Sequence, residues 1–596
     1  MITIKKLFDL LAPSEHKNIV FVLCMILFMA LIDAIGIASI LPFITVLANP
    51  ESVETNQFLA YLFKNLNFKS TNDFFFFLGS LVFTILLFSL VFKATSNYVQ
   101  YRFVQNCEYS LSKRFFEAYM HQPYAWFIER NSADLGKNIL SEIEGIVGNG
   151  ILPLIIIIAQ SAVALAIIIL LIYIDPILAL AISFSLGICY VVIFNLMGDF
   201  LTRISLEQVK ANQQRYIIVN EAFSVIKELK VRGIEQFYTN RFKETSKAYA
   251  KNKASAQLSS QLPRFLLEAL AFGGILLIVL YFIARYHDFT IVIPRIALYA
   301  FAGYRLLPAL QQIYSNSSIL RFTKPSIDLL HSELKNIEIF QKNINIKRLI
   351  KLKVSIKLNN ISFNYNNSSN LALKNLNINI KAKTTVGLVG SSGSGKTTIV
   401  DCILGLLEPK EGFLSVDDMT INQKNSSQWQ KTIGYVPQQI FITDDTVAAN
   451  IAFGVDSNNI DYKSVERAAR AANVHDFVIK QLPQGYSTIL GERGIRLSGG
   501  QRQRIAIARA LYHKPQILIF DEATSALDGA TEEAVIKAVN KIAHSITIIM
   551  IAHRLSTVRN CDEIFLIEKG KLLAHGTYNE LNGNNKIFQK MTGKIL

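Results

Sequence analysis

The sequence predicts an α-helical membrane domain of six transmembrane helices followed by a soluble α/β domain built around a phosphate-binding loop. Three observations carry this expectation. The chain has 596 residues, more than a single core organises. Its long charge-poor apolar runs all lie before about residue 312. Beyond them, Gly390-Ser391-Ser392-Gly393-Ser394-Gly395-Lys396-Thr397-Thr398 stands between the apolar run Thr385–Val389 and the helical pattern Ile399–Leu407.

The apolar segments fall at 18–47, 74–92, 148–173, 177–198, 265–285 and 290–312, against the roughly 20 residues that a crossing helix requires. The first is too long for a signal-peptide core and lacks a small-residue cleavage site, so it reads as an anchor. Orientation follows from the basic residues between segments. Loop 93–147 carries six lysines and arginines and loop 199–264 carries twelve, whereas the opposite connections and their edges carry only Lys64, Lys69 and Arg285. The basic loops therefore read as cytoplasmic, which makes the chain a multi-pass protein of the cytoplasmic (inner) membrane with both termini and the phosphate loop inside.

A net charge of +16 could suggest a nucleic-acid binder, but the basic residues sit beside apolar runs and form no arginine-aromatic stripes. No nucleic acid is expected; membrane lipid is. The five cysteines, Cys24, Cys107, Cys189, Cys402 and Cys561, are scattered without a CxxC pair, which argues against a disulfide framework or a zinc site.

Both basic loops keep helical apolar spacing, as in Tyr101, Val104, Leu111 and Phe115, so helices are expected to run on out of the membrane and carry the loop tips to a cytoplasmic domain. The first tip, Gln122 to Phe127, is aromatic and reads as a docking knob. In the outer loop, apolar residues at helical spacing over 58–66 predict a short helix, either on the membrane surface or capping the spans. Ionisable residues within spans default to function. They are Asp33, Glu268, Arg295 and Arg305. Glu268 and Arg305 are expected to neutralise each other or to serve function, and Arg295 and Arg305 are the candidate substrate contacts.

The phosphate loop has a defined chemistry. Its glycines let backbone N–H groups turn inward, the helix N-terminus adds positive potential, Lys396 can reach the β- and γ-phosphates, and Thr397 can ligate Mg²⁺. Ile517-Leu518-Ile519-Phe520-Asp521-Glu522 reads as a buried strand ending in two carboxylates, Asp521 suited to Mg²⁺ through water and Glu522 to polarising the water that attacks the γ-phosphate. Leu497-Ser498-Gly499-Gly500-Gln501 opens a second helix with a phosphate-facing end. Two such ends on one domain make sense if another copy completes each site. Tyr365 is placed as an aromatic that could stack on adenine.

Together these ordered motifs resemble the ATP-binding cassette (ABC) exporter family over nearly the whole chain. Gly390 to Thr398 looks like its Walker A, with Gly390, Ser391, Gly393, Ser394, Gly395, Lys396, Thr397 and Thr398 as nucleotide contacts, and Ile517 to Glu522 looks like its Walker B. Ser498, Gly499, Gly500 and Gln501 match the signature motif, Gln438 the Q-loop glutamine beside Mg²⁺, Asp528 the D-loop, His553 the switch histidine, Tyr365 the A-loop aromatic and Gly491 to Gly494 the exporter X-loop. The resemblance implies ATP and Mg²⁺ as cofactors and catalysis by Glu522 with His553 and Gln438. It also implies a half-transporter whose two copies pair head to tail as a homodimer. The organisation is then a transmembrane domain over 1–320, a connector over 321–352 and a nucleotide-binding domain over 353–596. Within the family the membrane half looks most like bacterial flippases of polyprenyl-diphosphate-linked oligosaccharides, on Ile40 to Thr45, Pro263 to Glu268, Tyr304 to Pro308 and the external helix at 58–66. That implies an ATP-driven flippase or exporter of a lipid-linked oligosaccharide. The alternatives are an exporter of apolar drugs, lipids or peptides, and an ATP-gated channel or regulator.

Overall fold

A computed structural model describes residues 2–48, 50, 53, 57–286, 289–337, 349–365, 370–491, 494–522, 543–552 and 555–591. Some side chains within its helices, among them Cys189 and those of 281–286 and 289–295, lie outside that description. The chain divides into two units, Met1–Gln122 with Glu129–Gln341, and Pro123–Ile128 with Lys342–Leu596.

The first unit is helical. Its elements include α1 (Glu15–Ala38), α2 (Ile40–Ala48), α3 (Gln57–Asn65), α4 (Thr71–Met120), α6 (Leu152–Ile174), α7 (Pro176–Ser224), α8 (Glu235–Tyr286) and α9 (Phe289–Ile337), while α5 (Tyr124–Ile128) groups with the second unit. Among the described residues four helical stretches are long and apolar enough to cross a membrane: Pro13–Leu47, Thr71–Met120, Ser132–Ile174 and Pro176–Ser224. The apolar segments expected at 265–285 and 290–312 fall within α8 and α9.

Local chemistry sets where these helices begin. The Ser70 side chain accepts hydrogen bonds from the N–H groups of Asn72 and Asp73 at the start of α4, and Asp175 accepts from Leu178 N–H ahead of Pro176 at the start of α7. At 50 residues, α4 is roughly 75 Å long, more than twice the hydrocarbon thickness. Val104, Leu111 and Phe115 are buried along its far half, whereas Tyr101 is exposed. The short helix α3 caps spans on one side: Leu59 is buried with Val46, Phe74 and Leu78, and Phe63 meets Phe74 edge-on at 5.4 Å. Its Tyr61 and the following Leu66 face outward.

The second unit is α/β. A four-stranded antiparallel sheet runs β2-β1-β4-β5, from β1 (Ser355–Phe363), β2 (Leu373–Lys381), β4 (Glu411–Val416) and β5 (Met419–Ile421). A six-stranded sheet runs β10-β9-β3-β8-β7-β6, from β3 (Thr385–Val389), β6 (Ile433–Val436), β7 (Ile517–Asp521), β8 (Thr547–Ile551), β9 (Glu563–Glu568) and β10 (Lys571–Gly576). Strands β6, β7, β8, β3 and β9 are parallel, and every residue of β3, β7 and β8 is buried. Continuous Val/Ile/Leu runs are what a sheet covered on both faces requires. Because β8 pairs with both neighbours, at Leu388↔Ile551 and Asp521↔Ile551, the ends of β3 and β7 emerge on the same edge one strand apart.

Candidate active site

The site is built at that carboxyl edge. Leaving β3, the chain curls through Gly393 and Gly395, at φ of 75° and 102°, and enters α10 (Lys396–Ile403). Glycine is required at Gly390 for a different reason, since a methyl group there would sit 2.1 Å from the Ile567 carbonyl oxygen. That atom belongs to β9 and cannot yield. Gly390→Ala is therefore expected to destabilise the α/β unit by about 2 kcal/mol and to weaken nucleotide binding. Thermal unfolding with and without ATP measures both, and an unchanged transition would contradict the close approach.

Lys396 is buried, and its ammonium donates to the carbonyls of Gly390 at 2.8 Å and Ser391 at 2.9 Å. Burial lowers its pKa, opposed by the charges of Glu522 and Asp521. Thr397 is exposed, and Ser394 Oγ is buried without a hydrogen-bond partner. The Tyr365 hydroxyl lies 3.1 Å from Thr398 Oγ1.

At the end of β7, Asp521 is buried and its Oδ2 accepts a hydrogen bond from the Tyr435 hydroxyl at 3.1 Å. Burial raises the Asp521 pKa, and the Tyr435 bond opposes that rise. Glu522 takes a left-handed φ of 48°, and Gln438 Nε2 donates to its Oε2 at 2.5 Å. Asp401 on α10 is also buried, and desolvation with Asp521 beside it pushes its carboxyl up to about 6. Tyr124 of α5 feels Asp401, Tyr365 and Asp521, although burial is the larger cause of its raised pKa.

These groups fit a magnesium nucleotide. An exposed hydroxyl on Thr397, one buried carboxylate on Asp521 and the amide side chain of Gln438 leave most of an octahedron to water and phosphate, as Mg²⁺ prefers. The glycine loop, the Lys396 ammonium and the orphaned Ser394 hydroxyl offer a phosphate both positive charge and donors. Among the described residues no group of three His, Cys, Asp or Glu side chains could hold a metal by itself.

Ser498 and Gln501 cap the helix α11 (Gly499–Tyr512) reciprocally: Ser498 Oγ accepts from Gln501 N–H at 3.3 Å, and Gln501 Oε1 accepts from Ser498 N–H at 2.8 Å. Ser498 and Gly499 are exposed while Gly500 is buried. His553, Asp528 and the Glu492 and Arg493 of the X-loop lie outside the described residues, as does the Arg295 side chain.

In the helical unit, the expected pairing of Glu268 with Arg305 is replaced by two others. Glu268 is held by Arg264, one turn away on α8, at 2.8 Å. Arg305 lies 3.9 Å from Asp33, a buried carboxylate of α1 that also accepts from Ser89 of α4 at 2.5 Å. The (i,i+4) spacing of Arg264 and Glu268 is a signal present in the sequence. Tyr435 and Asp401 had weaker signals: an aromatic just ahead of the Q-loop glutamine, and a single carboxylate inside an otherwise apolar helical pattern.

Comparison with known proteins agrees with this architecture. Residues 18–299 match the family described as ABC transporter transmembrane region, and residues 373–525 match ABC transporter. The chain is 31% identical over 511 residues to the heterocyst differentiation ATP-binding protein HepA of Nostoc sp., covering 83% of this chain and 81% of that protein. It is 30% identical over 484 residues to the ATP-dependent lipid A-core flippase of Cupriavidus pinatubonensis, covering 79% and 80%. A bacterial Atm1-family ABC exporter solved with ATP bound shares the fold, with a TM-score of 0.78 at 24% identity over 97% of this chain and 98% of that one.

Proposed function

The chain belongs to the ABC transporter family, and on that premise we propose that it is an ATP-driven flippase for a lipid with a large polar head group, a lipid-linked oligosaccharide being the particular case. It is an ATP-hydrolysing ABC exporter, with a transmembrane region followed by an ATPase domain, and in this reading it acts as a half-transporter. In the proposed arrangement six crossings within 1–320, a connector over 321–352 and a cassette over 353–596 form one half of a homodimer in the cytoplasmic membrane, with both termini and the cassette inside.

The observation that supports the lipid reading is the similarity, along about four-fifths of both chains, to proteins named as lipid A-core flippases. In the ATP site, Lys396 would compensate phosphate charge, Thr397, Asp521 and Gln438 would hold Mg²⁺, and Tyr365 would stack on the base. Mg²⁺ would neutralise charge on the β- and γ-phosphates. Glu522 then accepts a proton from the attacking water, assisted by His553, while Asp528 and Ser498 to Gln501 complete the site held by the other copy.

On the cargo side, moving an anionic head group through hydrocarbon calls for fixed cations in a wet cavity. Arg305 and Arg295 are the proposed contacts, and a guanidinium suits bidentate phosphate contact. Because Arg305 faces Asp33, cargo would have to take the guanidinium from that carboxylate. Arg305→Gln is expected to slow lipid transport at least tenfold while basal ATPase stays within about twofold. The assay is transbilayer movement of a labelled lipid-linked oligosaccharide in vesicles of purified protein, run beside a panel of apolar drugs. Transport of drugs alone would overturn the lipid reading, and unchanged lipid transport in the variant would remove Arg305 from the cargo path.

A further inference from the structure

We propose that Tyr435 is a positioning residue for the metal-facing carboxylate, fixing one oxygen of Asp521 so that the other stays turned toward Mg²⁺ as nucleotide binds. This rests on the reading of Asp521 as that carboxylate. Strands β6 and β7 are parallel, with Tyr435 opposite Ile519 and Val436 opposite Phe520. The phenol therefore reaches two residues along the neighbouring strand, where its hydroxyl donates to Asp521 Oδ2 at 3.1 Å. Among the described residues it is the one hydrogen-bond donor to that side chain. The neighbouring Glu522 is held in parallel fashion by Gln438, three residues beyond Tyr435. One strand and the loop that follows it thus hold two consecutive carboxylates at the end of the neighbouring strand, Asp521 its last residue and Glu522 just beyond it.

The choice of a phenol has a physical consequence. A lysine or arginine at 435 would neutralise the negative charge that a divalent cation needs. A side chain without a donor would leave a buried carboxylate free to swing toward the Lys396 ammonium, whose charge it already feels. The tyrosine hydroxyl restrains Asp521 without bringing a positive charge to it. Tyr435 is 37% exposed, and replacing it with phenylalanine keeps the ring in place and removes only the hydroxyl that meets Asp521.

The test uses the full-length protein with a non-hydrolysable ATP analogue and Mn²⁺ as a spin probe read by electron paramagnetic resonance. Tyr435→Phe is expected to bind Mn²⁺ about tenfold more weakly, the effect of losing one hydrogen bond to a charged group. Binding of the same nucleotide in EDTA should stay within about twofold, and the Mg²⁺ concentration for half-maximal ATPase should rise in step with the Mn²⁺ result. Asp521→Asn serves as the reference and should lose more. Unchanged Mn²⁺ affinity in Tyr435→Phe beside a loss in Asp521→Asn would overturn the positioning role alone. An equal loss of nucleotide binding in EDTA would also overturn it, marking a packing defect. Unchanged affinity in both variants would overturn the reading of Asp521 itself.

Discussion

Glu522→Gln is expected to cut steady-state ATP hydrolysis by about 10³-fold while ATP affinity stays within about threefold. The substitution is nearly isosteric and keeps an acceptor oxygen for the Gln438 amide, which lies 2.5 Å from Glu522 Oε2. It removes only the capacity to take a proton from water. Glu522 sits at a left-handed φ of 48°, a conformation that costs a non-glycine residue on the order of 1 kcal/mol or more. The surrounding structure holds a glutamine at the same cost, so the fold should survive the change. With phosphate contacts intact and the chemical step blocked, ATP should hold two copies closed, and the variant should elute as a nucleotide-loaded dimer. Phosphate release and retained nucleotide measure the two effects separately. Hydrolysis near the normal rate would remove Glu522 as the base, and loss of ATP binding would place it among the phosphate contacts instead.

The second large effect concerns the origin of the second half of each site. The exposed Ser498 hydroxyl and N-terminus of α11 cap one another within the chain, yet the motif they form resembles one that faces phosphate. If it closes over the nucleotide of the other copy, the placement of two defects decides the outcome. Lys396→Ala on one copy with Ser498→Arg on the other puts both defects in one composite site and leaves one intact, so about half of the ATPase activity should remain if the sites act independently. Both changes on the same copy damage both sites, and activity should fall to a few per cent or less. Tagged copies purified sequentially give the two arrangements at equal protein, and equal residual activity from both would rule out composite sites.

How much of this was legible in the amino-acid order depends on how far apart the interacting groups lie along the chain. The phosphate loop is contiguous: an apolar strand, glycines free to take φ of 75° and 102°, and a helix starting at Lys396 are consequences of local sequence. The same holds for the buried strand Ile517–Asp521 that delivers two carboxylates, and for the serine that caps α11. Helices that run on beyond the membrane were readable from periodicity, because burial selects Val104, Leu111 and Phe115 at helical spacing.

The sequence by itself determined the local conformations, the order of the two units and the residue types gathered at the sheet edge, since each follows from propensity, patterning and glycine chemistry over a few residues. Only tertiary structure decided which groups face each other. Residue counting places Glu268 and Arg305 at similar depth but says nothing of the direction in which each helix turns them: Glu268 pairs along its own helix with Arg264, a local (i,i+4) contact, whereas only the packing of helices brought Arg305 to Asp33. Likewise, the hydrogen bond from Tyr435 to Asp521 spans 86 positions and exists because β6 and β7 lie side by side in one register. A shift of one residue would turn that hydroxyl to the opposite face of the sheet.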